Sequence, residues 1–96
     1  MKTIALIGKG KDGTFGVFTP YLKSTIIGEG NTVAEAKADF LNSVNELMLY
    51  YKETGKQIPE ELIDIEFEFK FDMSEFLLFI IISLEFLLFS FSFDIV

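Results

Sequence analysis

Histidine, cysteine, tryptophan and arginine are all missing from this chain of 96 residues. Without histidine there is no imidazole to serve as a general base near neutral pH, no usual transition-metal ligand, and no Ser/His or Cys/His dyad. Without cysteine neither a disulfide framework nor a thiolate metal site can form. Positive charge is scarce and carried by lysine alone: 8 basic residues face 15 acidic ones, for a net charge of −7. This balance argues against a nucleic-acid surface, which takes its affinity from Lys and Arg clustered on phosphates. A basic protein is the complementary partner it favours. The stretch Met1 to Ile7 has one lysine and too short an apolar run for a signal peptide, so a cytoplasmic protein is expected. The length allows one modest core and no separate cofactor domain.

What is present is organised around Asn31 to Gly55. Thr32 followed by Glu35 is a capping box, in which the hydroxyl bonds the N–H of Glu35 and the carboxylate reaches back to the cap. Val33, Ala36, Phe40, Val44, Leu47, Met48 and Tyr51 then recur at steps of three and four, so one helical face is apolar. Asp39, Asn42, Asn45, Glu46 and Glu53 fall mostly on the opposite side. Gly55, flanked by Lys52 and Lys56, suits a helix end that needs positive φ and cationic neighbours. An amphipathic helix of this length needs a sheet to lie on.

Four runs supply it. Lys2 to Ile7 and Thr14 to Phe18 read as a hairpin, ended by Pro20, which removes a donor and biases Thr19 to extended geometry. Ser24 to Ile27 reads as a third strand, with Gly28-Glu29-Gly30 as the turn into the helix and both glycines supplying unusual φ. After Pro59, Glu60 to Leu62 reads as one turn. From Asp64 to Asp72, Ile65, Phe67, Phe69 and Phe71 alternate with Glu66, Glu68 and Lys70, the pattern of a half-buried strand. The expected fold is α+β, with order β-β-β-α-β and an antiparallel sheet under one long helix.

Between the first two strands, Gly8, Gly10 and Gly13 match GxGxxG. A dinucleotide site needs the third glycine to open a helix, whereas Gly13 leads into the strand-like Thr14 to Phe18. A nucleotide is therefore not expected. Phe67, Phe69 and Phe71 alternate too strictly for a base-stacking platform and have no arginine beside them, so they read as core.

The elements Phe18-x-Pro20-x-Leu22, then Gly28-x-Gly30-x-Thr32-x-x-Glu35-Ala36, then a long helix closing on Gly55-x-x-Ile58-Pro59, resemble the N-terminal domain of HicB-type antitoxins. The resemblance covers residues 1 to about 72. It implies a partial RNase H-like fold and a protein that binds and blocks a HicA-type toxin, a small basic protein that cleaves mRNA. In many members a C-terminal DNA-binding module then assembles the antitoxin into dimers or higher homo-oligomers on its operator. Tyr21 stands where the family usually has an acidic residue, and nothing after Asp72 resembles a DNA-binding module, so autorepression is expected to be lost. RNase H-like topology also invites a nuclease reading, but Asp12, Glu29 and Glu66 fall on a loop, a turn and a solvent face rather than on a shared metal site. No catalytic residue, metal or cofactor is expected. The residues expected to meet a basic toxin are Glu46 and Glu53 on the helix and Glu66 and Glu68 on the last strand.

Residues 73–96 form a second unit of different composition. Phe76 to Phe93 is almost wholly Phe, Leu and Ile, with Glu85 as its charge. As a helix it would span about 27 Å, near the roughly 30 Å of a bilayer core. Three readings compete: an out-of-frame remnant of a lost DNA-binding module, a packing or dimerisation segment capped by Ser74, and a membrane anchor without flanking lysines. The corresponding alternatives for function are an inactive remnant and a membrane-tail-anchored small protein. Such a run promotes association wherever it is left uncovered.

Overall fold

The computed structural model describes residues 1–73. The expectations for the apolar tail therefore lie, from residue 74 onward, outside the described residues. Within them the chain runs β1 (Lys2–Lys9), β2 (Phe15–Phe18), β3 (Ile27–Gly30), α1 (Val33–Thr54), a single 3₁₀ turn (Glu60–Leu62) and β4 (Glu66–Phe71). The expected α+β order holds. The strands form one sheet in the order β3-β2-β1-β4.

The sheet is mixed, not antiparallel. β1 pairs antiparallel with β2, and β2 with β3, but β4 lies parallel to β1 with Lys2 beside Glu66 and Ile7 beside Phe71. The reason is topological. The 22-residue helix carries the chain back to the end where β3 began, so β4 runs in the direction of β3, which after two antiparallel steps is also the direction of β1.

The helix has the ends its sequence encodes. Thr32 sits extended at φ −130°, its Oγ1 accepting from the Glu35 N–H at 3.1 Å. The Glu35 carboxylate accepts in return from the Asn31 N–H at 2.9 Å, one residue before the cap. At the far end Gly55 takes φ 69° and its N–H donates to the Tyr51 carbonyl.

The third strand is displaced from its expected place. Ser24 and Thr25 lie in the connection, Ile26 is buried, and the strand is Ile27–Gly30 itself. Gly28 and Gly30 are thus ladder residues, and neither has positive φ; among the described glycines that conformation belongs to Gly13 and Gly55. Their function is close approach. A Cβ on Gly28 would lie 2.5 Å from the Phe40 Cα and 2.7 Å from the Ala36 carbonyl oxygen, and one on Gly30 would lie 2.6 Å from the Ala36 nitrogen. Glycine inside a strand marks such an approach. β4 likewise begins at Glu66 rather than Asp64, because Asp64 turns the chain at φ 51°.

The helix-facing side of the sheet presents Thr3, Ala5, Ile7, Val17, Phe67 and Phe69, and α1 lowers Ala36 and Phe40 onto it. Phe40 is fully buried and meets Phe67 and Phe69 edge to face at 5.0 and 5.7 Å. Leu22, Ile26 and Leu62 close the core at one end. Val44, Leu47, Met48 and Tyr51 continue the apolar stripe as half-buried residues.

Candidate functional site

The other side of the sheet has no described element packed over it. Because partners in a register share a face, this side carries Lys2, Ile4 and Leu6 of β1, Gly8 after them, Gly16 and Phe18 of β2, Ile27 and Glu29 of β3, and Glu66, Glu68 and Lys70 of β4. Leu6, Phe18 and Ile27 line up across three strands as an apolar ridge. The next rung on this face is Gly8, Gly16 and Glu29, so two missing side chains leave a trough beside the ridge with a carboxylate at its β3 end. On the β4 side Glu68 lies 4.0 Å from Lys2 Nζ and 3.9 Å from Lys70 Nζ, all three well exposed. The surface is an apolar strip with Glu29 beside its β3 end and Lys70 in its rung on β4, where Glu66 and Glu68 alternate with Lys2 and Lys70 as a mixed-charge margin.

The four acidic residues expected at a partner surface do not come together. Glu66 and Glu68 alternate with Phe67 and Phe69, whose rings meet Phe40, so they point away from the helix. Glu46 and Glu53 are exposed on α1, in the other layer of the molecule. One partner face can hold the strand pair or the helix pair. Among the described residues no three acidic side chains group as they would to hold a metal ion.

The residues that carry the family resemblance have structural roles. Phe18 ends β2, Pro20 and Tyr21 are exposed in the connection, and Leu22 is buried in the core. Gly28 and Gly30 admit the helix, Thr32 and Glu35 cap it, and Ala36 is the residue the glycines admit. The eight form two groups: Gly28, Gly30, Thr32, Glu35 and Ala36 build the junction of β3 with the start of α1, while Phe18, Pro20 and Leu22 belong to the β2–β3 connection at the other end of that ladder, where Phe18 pairs with Ile27.

Sequence reasoning missed what holds the β2–β3 connection. Glu61, in the 3₁₀ turn, accepts from the Ser24 N–H at 2.9 Å and the Lys23 N–H at 3.1 Å, tying down the β2–β3 connection from 37 residues away. Thr19, fully buried, accepts from the Ile26 N–H at 3.0 Å. A distant carboxylate bonded to backbone leaves no mark in local sequence. The bonds from Ser24 and then Lys23 hold the Glu61 carboxyl below its ordinary value of 4.5. A depressed folded value stabilises above the unfolded one and loses that contribution as pH falls through it. Glu61→Gln is therefore expected to melt below the parent protein at pH 7, and the gap is expected to close as both are acidified through the carboxylate range. Thermal melts of the two proteins over that range check it, and a constant gap would remove the charge from the explanation.

The glycine-rich loop is spent on the hairpin. Gly10 N–H donates to the Thr14 carbonyl at 2.7 Å, and Asp12 Oδ1 accepts from the Thr14 hydroxyl at 2.7 Å and N–H at 3.1 Å. Those bonds hold the Asp12 carboxyl below its usual range. Gly13 leads into β2, not into a helix. No family model matches this chain, and neither does any curated protein or solved structure.

Proposed function

We propose that this chain is a HicB-type antitoxin module that binds a basic, mRNA-cleaving HicA-type toxin and blocks it by covering its active surface, without chemistry of its own. The observation that carries the reading is that Gly28, Gly30, Thr32, Glu35 and Ala36 of the resemblance build one junction, the two glycines admitting the helix that Thr32 and Glu35 cap. The strand order β3-β2-β1-β4 with β4 parallel to β1 is also the arrangement a partial RNase H-like domain requires. The open sheet face is the binding surface we assign, with Leu6, Phe18 and Ile27 as its apolar centre, Glu29 on its β3 margin, and Glu66 and Glu68 on its β4 margin beside Lys2 and Lys70. A net charge of −7 speeds encounter with a basic partner. This reading places the protein in the cytoplasm, beside the mRNA it protects. Among the described residues no helix is long and apolar enough to cross a membrane.

Co-expression of the tagged full chain with the toxin encoded beside it tests this. The expected result is a stable complex in which mRNA cleavage stops. Glu66→Lys is expected to weaken binding about tenfold by placing a like charge against the toxin, while Glu53→Lys on the helix leaves it unchanged. Cleavage that continues in excess of folded chain would refute the reading, and sensitivity to Glu53 instead of Glu66 would move the site to the helix layer.

A further inference from the structure

The two edges of the sheet are finished differently. At β3 the outward Ile27 carbonyl accepts from Ser43 Oγ at 3.0 Å, and the outward Glu29 N–H donates to Asp39 Oδ2 at 2.8 Å. Side chains of α1 thus close that edge. At β4 the ladder to β1 uses even-numbered residues, since Glu66 N–H donates to the Met1 carbonyl and Asp72 N–H to that of Ile7, both at 2.8 Å. Alternation along the strand then turns the N–H and C=O groups of Phe67, Phe69 and Phe71 outward. Among the described residues no hydrogen bond reaches them. Phe71 at the end of this edge is 59% exposed.

We propose that β4 is a self-pairing edge, to which a second copy of this chain adds antiparallel about a two-fold axis at Phe69. The charges select that register. An axis at Phe67 sets Glu66 against the partner's Glu68, one at Glu68 sets that residue against itself, and one at Lys70 does the same to Lys70. An axis at Phe71 runs off the end of the strand. An axis at Phe69 sets Glu68 opposite the partner's Lys70 twice over, in the non-hydrogen-bonded positions where side chains stand closest. On the helix side the same register places Phe71 beside the partner's Phe67 and Phe69 beside its own copy. The outward groups of three phenylalanines from each chain then form about six main-chain hydrogen bonds. The opposing contribution is Glu66 against the partner's Asp72 at the two ends. An open strand edge is normally guarded by charge, and here the guarding charges complement themselves. Pairing joins two four-stranded sheets into one and makes their open faces continuous.

Sedimentation of the full chain over a wide concentration range, with no toxin present, tests this independently of the proposed function. The wild type is expected to show a reversible monomer–dimer equilibrium. Lys70→Glu alone and Glu68→Lys alone are each expected to raise the dimer dissociation constant about tenfold, since two attractive pairs become repulsive. An equimolar mixture of the two variants is expected to recover dimer, because each Glu then meets a Lys. The 3.9 Å Glu68–Lys70 pair within one chain cannot be repaired by mixing, so recovery reports a contact between copies. Phe71→Glu, at an exposed position, is expected to lose the dimer without touching that pair. A wild type that stays monomeric, association indifferent to these variants, or a mixture that fails to recover would each overturn the proposal.

Discussion

Replacing Gly28 with alanine is expected to destabilise the protein by about 3 kcal/mol or more, although it adds a single methyl group. Overpacking usually costs about 1–3 kcal/mol because neighbouring side chains yield. Here the neighbours are backbone: the new carbon would lie 2.5 Å from the Phe40 Cα and 2.7 Å from the Ala36 oxygen. A helix cannot retract one carbonyl, so α1 must lift as a unit, and Ala36 and Phe40 lose their seat with it. The bonds from Asp39 and Ser43 to the β3 edge stretch at the same time. A domain of this size holds on the order of 4–11 kcal/mol in total, so the variant is expected to sit near its unfolding threshold. Gly8→Ala is the control: it lies in β1, has nothing within 4 Å of the added carbon, and is expected to be neutral within about 1 kcal/mol. Urea unfolding of both variants, followed by far-ultraviolet circular dichroism, measures the contrast. Equal effects would mean that strand flexibility, not helix approach, sets the requirement for glycine at position 28.

The same glycine marks where the sequence could be read and where it could not. The helix was legible at both ends because its signals are local: Thr32 and Glu35 are three residues apart, and Gly55 needs only its own φ. β4 was legible because its alternation is strict and its apolar face is half-buried at Phe67 and Phe69, although Phe71, expected in the core, is exposed at the end of the strand. Ile27–Gly30 was misplaced because Ser24-Thr25-Ile26-Ile27 has the stronger strand propensity, and Gly28-Glu29-Gly30 has the composition of a turn. Propensity describes a residue's own backbone, whereas β3 is fixed by the helix that must pass over it. The direction of β4 was likewise hidden, since it is set by the helix that carries the chain back to the end where β3 began and not by any residue in Glu66–Phe71. At the candidate surface, alternation correctly turned Glu66 and Glu68 outward. It could not reveal that Glu46 and Glu53 stand in the other layer, because that separation is a property of the two-layer fold. Nor could it reveal the ridge of Leu6, Phe18 and Ile27, which three separate strands assemble.

Phe40→Ala is expected to destabilise by about 3–5 kcal/mol, and to do so unevenly. The ring is fully buried and is the side chain through which α1 reaches across the sheet to the rings of Phe67 and Phe69. β3 has independent ties to the helix in the glycine contacts and in the Asp39 and Ser43 bonds. β4 has the Phe40 ring and, at its margin, Lys37 Nζ 4.6 Å over the Phe69 ring. Loss of the Phe40 ring therefore opens a cavity on the β4 side and removes two edge-to-face contacts, while the β3 side keeps its polar anchors. Amide hydrogen exchange in Phe40→Leu, which keeps enough bulk to stay folded, is expected to accelerate more in Glu66–Phe71 than in Ile27–Gly30. Uniform acceleration would mean that the domain opens as one unit and that Phe40 is an ordinary core residue. Selective loosening of β4 carries a functional consequence, because Glu66 of the proposed toxin face and the whole of the proposed self-pairing edge stand on that strand. A residue that touches neither surface would then set the geometry of both, and Phe40→Leu should weaken toxin capture and self-association together.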